Sequence, residues 1–297
     1  MLKYLQKILN QKYQKIFTII KIFCKKNSIY GENFGFLNEK ALIILAYYLD
    51  IVNPTLPLKE IPLNLIKIFK NNFIIEIDKN INTNINLDEY LNIDKNKNWK
   101  ILLPGKYTYN ALYTINKTTE EIIKKQLNIG YQLFNNYSIT DWYKNDNFVK
   151  QYENLFLIIC YYSNNSLNGP QFCDFIENNL RNHLQIEIEN KVNLIEYIHI
   201  KPLKLLNSEE CPSKQFKLNE EYKDWICTIW VSGIKWKNEE KKGKLNEFKQ
   251  FINKLKENLM KQFKGEINEQ SSINDFNLGF NYIKSEQLEE FTSKDKN

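Results

Sequence analysis

Lys21 and Tyr30 are the side chains whose types and spacing suit a nucleotide. They stand nine residues apart in KIFTIIKIFCKKNSIYGENFGFLNEKALIILAYYLDIVNP, residues 15–54. A lysine ammonium is a compact point charge that reaches phosphate oxygens, and a phenol ring packs on a base or ribose. Lys21 lies beside the apolar stripe of a helix and Tyr30 falls in the turn that follows, so the two can face one pocket at a helix–helix junction. The alternative is a solvated lysine and an aromatic ring at the edge of the core. Other reactive groups are sparse. His183 and His199 are the only histidines, which leaves no His-rich metal site or proton relay. Cys24, Cys160, Cys173, Cys211 and Cys227 fall singly with no CxxC spacing, as expected of buried thiols in a reducing compartment. No serine or cysteine nucleophile pairs with a base, so no catalytic residue and no metal ligand is assigned.

The elements that must position Lys21 and Tyr30 are legible from periodicity. Leu2, Leu5, Leu9, Tyr13, Ile16, Ile20 and Phe23 recur at three- and four-residue spacing, the signature of one buried helix face. The other face carries seven lysines before Glu32, the first acidic residue. Such a run is a solvated face or a face turned to RNA phosphates. A turn holding Tyr30, Gly31 and Gly35 follows. From Glu39 to Val52, the residues Leu42, Leu45, Leu49 and Val52 form a second stripe, closed by Asn53-Pro54. Pro62 fits the first turn of a helix through Leu65, Ile66 and Phe69. Residues 79–98 are rich in asparagine and aspartate without sustained period and read as a surface loop. Thr118 and Glu121 form a capping-box signature that predicts a helix start there.

After Asp141-Trp142-Tyr143 the pattern changes, which predicts domains at 1–146 and 147–297. Leu155–Tyr162 is a continuous apolar run, and Gly169-Pro170 opens a helix with Phe172, Phe175, Ile176, Leu180 and Leu184 inward. Val192–Lys201 reads as a strand ended by Pro202. Glu221–Trp236 reads as a longer strand with Trp225, Cys227, Ile229 and Val231 on one face. Leu245, Phe248, Ile252, Leu255 and Leu259 mark a helix, and Phe276–Ile283 a final strand. The expected fold class is α+β: an N-terminal helical domain followed by a ferredoxin-like βαββαβ domain. Trp225, Trp230 and Trp236 offer either a stacking surface for single-stranded RNA or core packing. The lysines from Lys241 and Lys242 to Lys264 either track a phosphate backbone or keep a helix soluble.

The chain's 297 residues, 43% apolar or aromatic, suffice for two globular domains. Net charge is +6, and Arg181 is the only arginine. The abundance of lysine, asparagine and isoleucine fits an AT-rich coding sequence as well as a basic surface, so charge gives a polyanion partner little support. No apolar run approaches the roughly 20 residues of a membrane span, and the lysine-bearing N-terminal helix does not resemble a secretory signal. An intracellular, soluble protein with no membrane partner is expected.

Lys21 followed by an aromatic, then Lys25, Ile29-Tyr30 and the turn Gly35-Phe36-Leu37, resembles the eukaryotic poly(A) polymerases. There a KLWA-type helix runs into IYSN and GFLGG at the start of the central domain, and the register holds without a gap from Lys21 to Pro54. Thr108-Tyr109-Asn110 sits where the family has a TYN-type turn before a helix. WICTIWVSGIKW and FNLGFNYIKSEQLEEF resemble the central and terminal strands of its RNA-binding domain, so the likeness extends from about Ile16 to Phe291. Ser285 and Glu286 stand where basic residues are usual.

The resemblance implies a nuclear polynucleotide adenylyltransferase of mRNA polyadenylation, using ATP and Mg2+ on an RNA 3′ end. It implies ATP contact for Lys21 and Tyr30, and RNA contact for Tyr109, Asn110, Lys241 and Lys242. Such transfer needs metal-binding carboxylates, which the family carries in a preceding nucleotidyltransferase domain marked by a glycine-serine turn and a DxD-type pair. This sequence has neither. Its acidic pairs, Glu120-Glu121, Glu209-Glu210, Glu220-Glu221, Glu239-Glu240, Glu289-Glu290 and Asp88-Glu89, read as solvated faces or caps. The chain alone is therefore not expected to catalyse the transfer. It is either an incomplete gene product, which its start inside a central-domain helix favours, or a non-catalytic relative partnered by a separate catalytic domain or by 3′-end processing factors. The other functional class is an RNA-binding or scaffolding module. Asn38-Glu39 replaces the family's paired glycines and Glu32 its asparagine, and these carboxylates would repel a triphosphate.

Overall fold

The computed structural model describes residues 11–76, 99–103, 109–136, 148–180, 195–201, 206–208, 225–237, 242–266, 275–286 and 288. The fold is mixed α+β, and the chain divides into two compact units, residues 1–146 and 147–297.

The first unit is built on helices α1 (Gln11–Lys26), α2 (Glu39–Val52), α3 (Ile61–Lys70) and α4 (Lys117–Asn136). Tyr13, Ile16, Ile20 and Phe23 of α1 are buried, at the spacing of the sequence stripe. α1 packs against α2, α3 and α4. Its approach to α4 requires Gly130, because a Cβ there would lie 2.3 Å from the Asn27 amide, which is itself tied to the Phe23 carbonyl at 2.8 Å. In α2, Leu42, Leu45 and Leu49 are buried, together with Ala41, Ile44 and Ala46. Val52, expected on that stripe, is 51% exposed, since the last turn runs out beyond the packed face.

Two further expectations are corrected here. The first unit is not helical throughout, since it also holds a three-stranded sheet, in which β1 (Phe73–Glu76) pairs in parallel with β2 (Trp99–Leu103) and β3 (Tyr109–Asn110) pairs antiparallel to β2. Its strands are too short for period two to stand out, and side-chain packing holds them to the helices. Phe69 of α3 lies edge-on to Phe73 and Trp99 at 5.2 and 4.7 Å between ring centres. The second correction concerns α4, which starts one residue before Thr118. Asn116 Oδ1 accepts the Thr119 N–H at 2.8 Å and Thr119 Oγ1 accepts the Asn116 N–H at 2.9 Å, so the reciprocal cap is made by Asn116 and Thr119 instead of Thr118 and Glu121. The expected loop at residues 79–98 lies outside the described residues.

In the second unit, strands β4 (Asn154–Tyr162), β5 (Ile195–Ile200), β7 (Ile226–Trp236) and β8 (Phe276–Lys284) form an antiparallel sheet in the order β5-β7-β4-β8. The short β6 (Leu206–Ser208) continues the line of β5 along β7. Helices α5 (Gly169–Asn179) and α6 (Lys242–Glu266) follow β4 and β7. They cover the face that carries Phe156, Trp236 and Phe276: Phe248 of α6 meets Phe156 and Trp236, and Phe172 of α5 meets Phe276 and Phe263.

Tyr13 makes the first unit sensitive to alkali. Its hydroxyl donates to the Ile43 carbonyl at 3.3 Å, and burial pushes the phenol up from 10.0 to about 12. Because the folded value lies above the unfolded one, this contribution is fully present below pH 10 and is lost as pH rises through 12. The urea midpoint of the full chain is expected to fall across that window, and less steeply in Tyr13→Phe. An unchanged slope would assign the alkaline limb to other groups.

Candidate nucleotide site

The turn between α1 and α2 holds Tyr30 against α1 by backbone geometry. Ile29 N–H donates to Cys24 O at 3.0 Å, Gly31 N–H to Leu37 O at 3.0 Å and Leu37 N–H to Ile29 O at 3.2 Å. Gly31 and Gly35 have φ of 136° and 74°, where a side chain would be strained, so both glycines are set by the turn. Lys21 and Lys25 lie one helical turn apart, and both ammonium groups approach the Tyr30 ring, at 5.8 and 5.2 Å from its centre. Lys21 also lies 5.4 Å from the Phe17 ring. Attraction between the cations and the ring faces holds the lysines over a half-buried aromatic patch. The i, i+4 spacing of Phe17, Lys21 and Lys25 is the sequence signal that would have found Phe17 and Lys25.

Glu39, at the start of α2, turns its carboxylate onto Lys21 at 2.6 Å. That bond raises the lysine's proton affinity most strongly, with burial opposing it. Tyr30 is pushed up by burial, and Lys21 pulls it partly back. Glu39 therefore stands on the ammonium where a phosphate oxygen would bind. This pairing was not visible in sequence, because the two residues lie 18 positions apart and meet only when the turn folds back.

The other acidic substitution is also engaged. Glu32 accepts a short hydrogen bond from the Tyr113 hydroxyl and one from Asn38 Nδ2 at 3.4 Å, and its carboxylate pushes the Tyr113 phenol up. Asn38 caps α2 by accepting the Ala41 N–H at 2.9 Å, and donates to Ala111 O at 2.9 Å. The capping turn is thus tied to the segment bearing Tyr109 and Tyr113, whose rings lie 5.2 Å apart with Lys40 5.9 Å from Tyr109.

Asn110 is buried, and its Oδ1 accepts the N–H groups of Ile101 and Leu112 at 3.1 and 3.0 Å. It fixes β2 against β3. Tyr109 is half-buried beside Tyr113. Lys241 lies outside the described residues, and Lys242 begins α6 with only its backbone described. The three tryptophans do not form one stacking surface. Trp230 and Trp236 share the helix-covered face, with Trp230 fully buried, whereas Trp225 lies on the other face against Tyr161. Leu155, Leu157, Ile229 and Val231 of that second face are buried as well. Exposed lysines on α6 include Lys249, Lys254 and Lys261.

Among the described residues no group of three or more His, Cys, Asp or Glu side chains could hold a metal ion, and no helix is long and apolar enough to cross a membrane. The described residues therefore do not by themselves supply a ligand set for the Mg2+ implied by the resemblance. No protein-family model matches the chain, and no curated protein matches its sequence.

Proposed function

We propose that the chain is the central and RNA-binding part of a poly(A) polymerase, contributing nucleotide and RNA contacts to adenylate addition in the nucleus while the metal-binding carboxylates come from elsewhere. The observation that carries this reading is the placement of the Lys21 ammonium beside the Tyr30 ring at the α1–α2 turn, the cation and aromatic pair that a nucleoside triphosphate needs. The sheet order β8-β4-β7-β5 sets the unit's fourth, first, third and second long strands side by side, with helices after the first and third. That order supports a ferredoxin-like RNA-binding domain. With both faces of the central strands buried, RNA phosphates are taken up by the lysine face of α6.

Glu39 favours a second reading, a non-catalytic RNA-binding module of 3′-end processing whose nucleotide position is filled by its own carboxylate. Titration of ATP into the full chain, followed by calorimetry, separates the two. The carboxylate of Glu39 is 54% exposed, so its hold on Lys21 is worth at most ~1 kcal/mol. Glu39→Gln is therefore expected to bind ATP about 2–5-fold more tightly than wild type. Absence of measurable ATP binding in both proteins, with salt-sensitive RNA binding retained, would leave the module reading in place.

A further inference from the structure

Cys160 and Cys173 bring two buried thiol sulfurs together in the second unit, at an Sγ–Sγ distance of 2.8 Å. Cys160 lies on the helix-covered face of β4, between Thr228 of β7 and Leu278 of β8, and is fully buried. Cys173 lies in the second turn of α5 and is 5% exposed. The connection between β4 and α5 is only residues 163–168, pinned where Ser163 N–H donates to Asp275 O at 2.8 Å and Ser166 N–H to Ser163 O at 2.9 Å. Gly169 then sits so close to the Tyr162 ring that a Cβ would lie 2.1 Å from it, so the start of α5 is held against the strand. The fold therefore delivers the two thiols to each other. Cys227 points to the opposite face of the sheet, through its register with Tyr161, and Cys24 belongs to the first unit.

We infer that Cys160 and Cys173 are a redox-modification site, closing to an intramolecular disulfide when the protein meets a peroxide. The more accessible Cys173 sulfur, as thiolate, attacks the peroxide O–O bond and becomes a sulfenic acid, and one water leaves. The Cys160 sulfur attacks the Cys173 sulfur, the S–O bond breaks, and the departing hydroxide takes the Cys160 proton as a second water. Two thiols and one hydrogen peroxide give one disulfide and two waters, and a dithiol reductant reverses the change. Burial makes local opening of α5 the entry route for peroxide. The closed bond ties α5 to the central strand and restricts the unfolded chain between the two positions.

The full chain is treated with hydrogen peroxide in buffer and, in parallel, in sub-denaturing urea that loosens α5. Remaining thiols are blocked with N-ethylmaleimide and peptides are identified by mass. A Cys160–Cys173 linked peptide that is lost on reduction is expected, with a higher urea midpoint for the oxidised protein. Cys227→Ser should keep the link, whereas Cys173→Ser should lose both link and shift. Failure of the link to form under both conditions, or its appearance only among scrambled pairs with other cysteines, overturns the inference. The wild-type peptide result decides the matter even if Cys173→Ser folds poorly.

Discussion

ATP affinity is expected to fall about 10–100-fold in Lys21→Ala. The figure follows from the loss of a charge-assisted bond to phosphate, worth ~1.5–3 kcal/mol. Truncation also removes the cation shared between the Phe17 and Tyr30 rings, but Lys25 remains 5.2 Å from Tyr30 and retains part of the positive field. The fold should survive the change, because Lys21 is partly exposed and its ion pair with Glu39 is a surface one. The measurement is ATP titration of wild type, Lys21→Ala and Glu39→Gln at one ionic strength, with far-ultraviolet circular dichroism to confirm folding. Tripolyphosphate in place of ATP separates phosphate contact from base packing. Equal affinity of wild type and Lys21→Ala for both ligands would remove Lys21 from any nucleotide role.

Trp230→Ala is expected to destabilise the second unit by about 3–5 kcal/mol, the range for emptying a large aromatic site in a packed core. Trp230 is fully buried on β7, opposite Ile158 of the central strand, which in turn faces Phe280 of β8. The vacated volume therefore lies at the middle of the sheet, under the helices, where the neighbours are held in register on both sides. Trp225→Ala provides the comparison. Its half-exposed ring meets Tyr161 at 5.9 Å on the other face, and its loss should cost less than about 1.5 kcal/mol. Urea unfolding followed by fluorescence and circular dichroism checks both. A small loss for Trp230→Ala with an unchanged slope would contradict its place at the centre of the core.

Long amphipathic elements were the legible part of the fold. The stripes through Ile16, Ile20 and Phe23, through Leu42, Leu45 and Leu49, and through Phe248, Ile252, Leu255 and Leu259 are buried, and so is the apolar run of β4. Short elements were not legible. β1, β2 and β3 span two to five residues, and β3 is fixed by the Asn110 side chain, which reaches across to Ile101 and on to Leu112. The capping pattern of Thr118 and Glu121 points two residues past the true cap, because Asn116 and Thr119 make the bonds. At the candidate site, residue type pointed to Lys21 and Tyr30, but not to Glu39 or to the bond between Tyr113 and Glu32.

By itself the sequence determined which face of each long helix and strand is buried, since that follows from side-chain period within one element and needs no knowledge of its neighbours. Only the tertiary structure decided that Glu39 occupies the Lys21 ammonium, that Asn110 holds β2 to β3, and that Cys160 meets Cys173. Each of these contacts joins residues from different elements, and their distances are fixed by how turns return the chain and how faces pack.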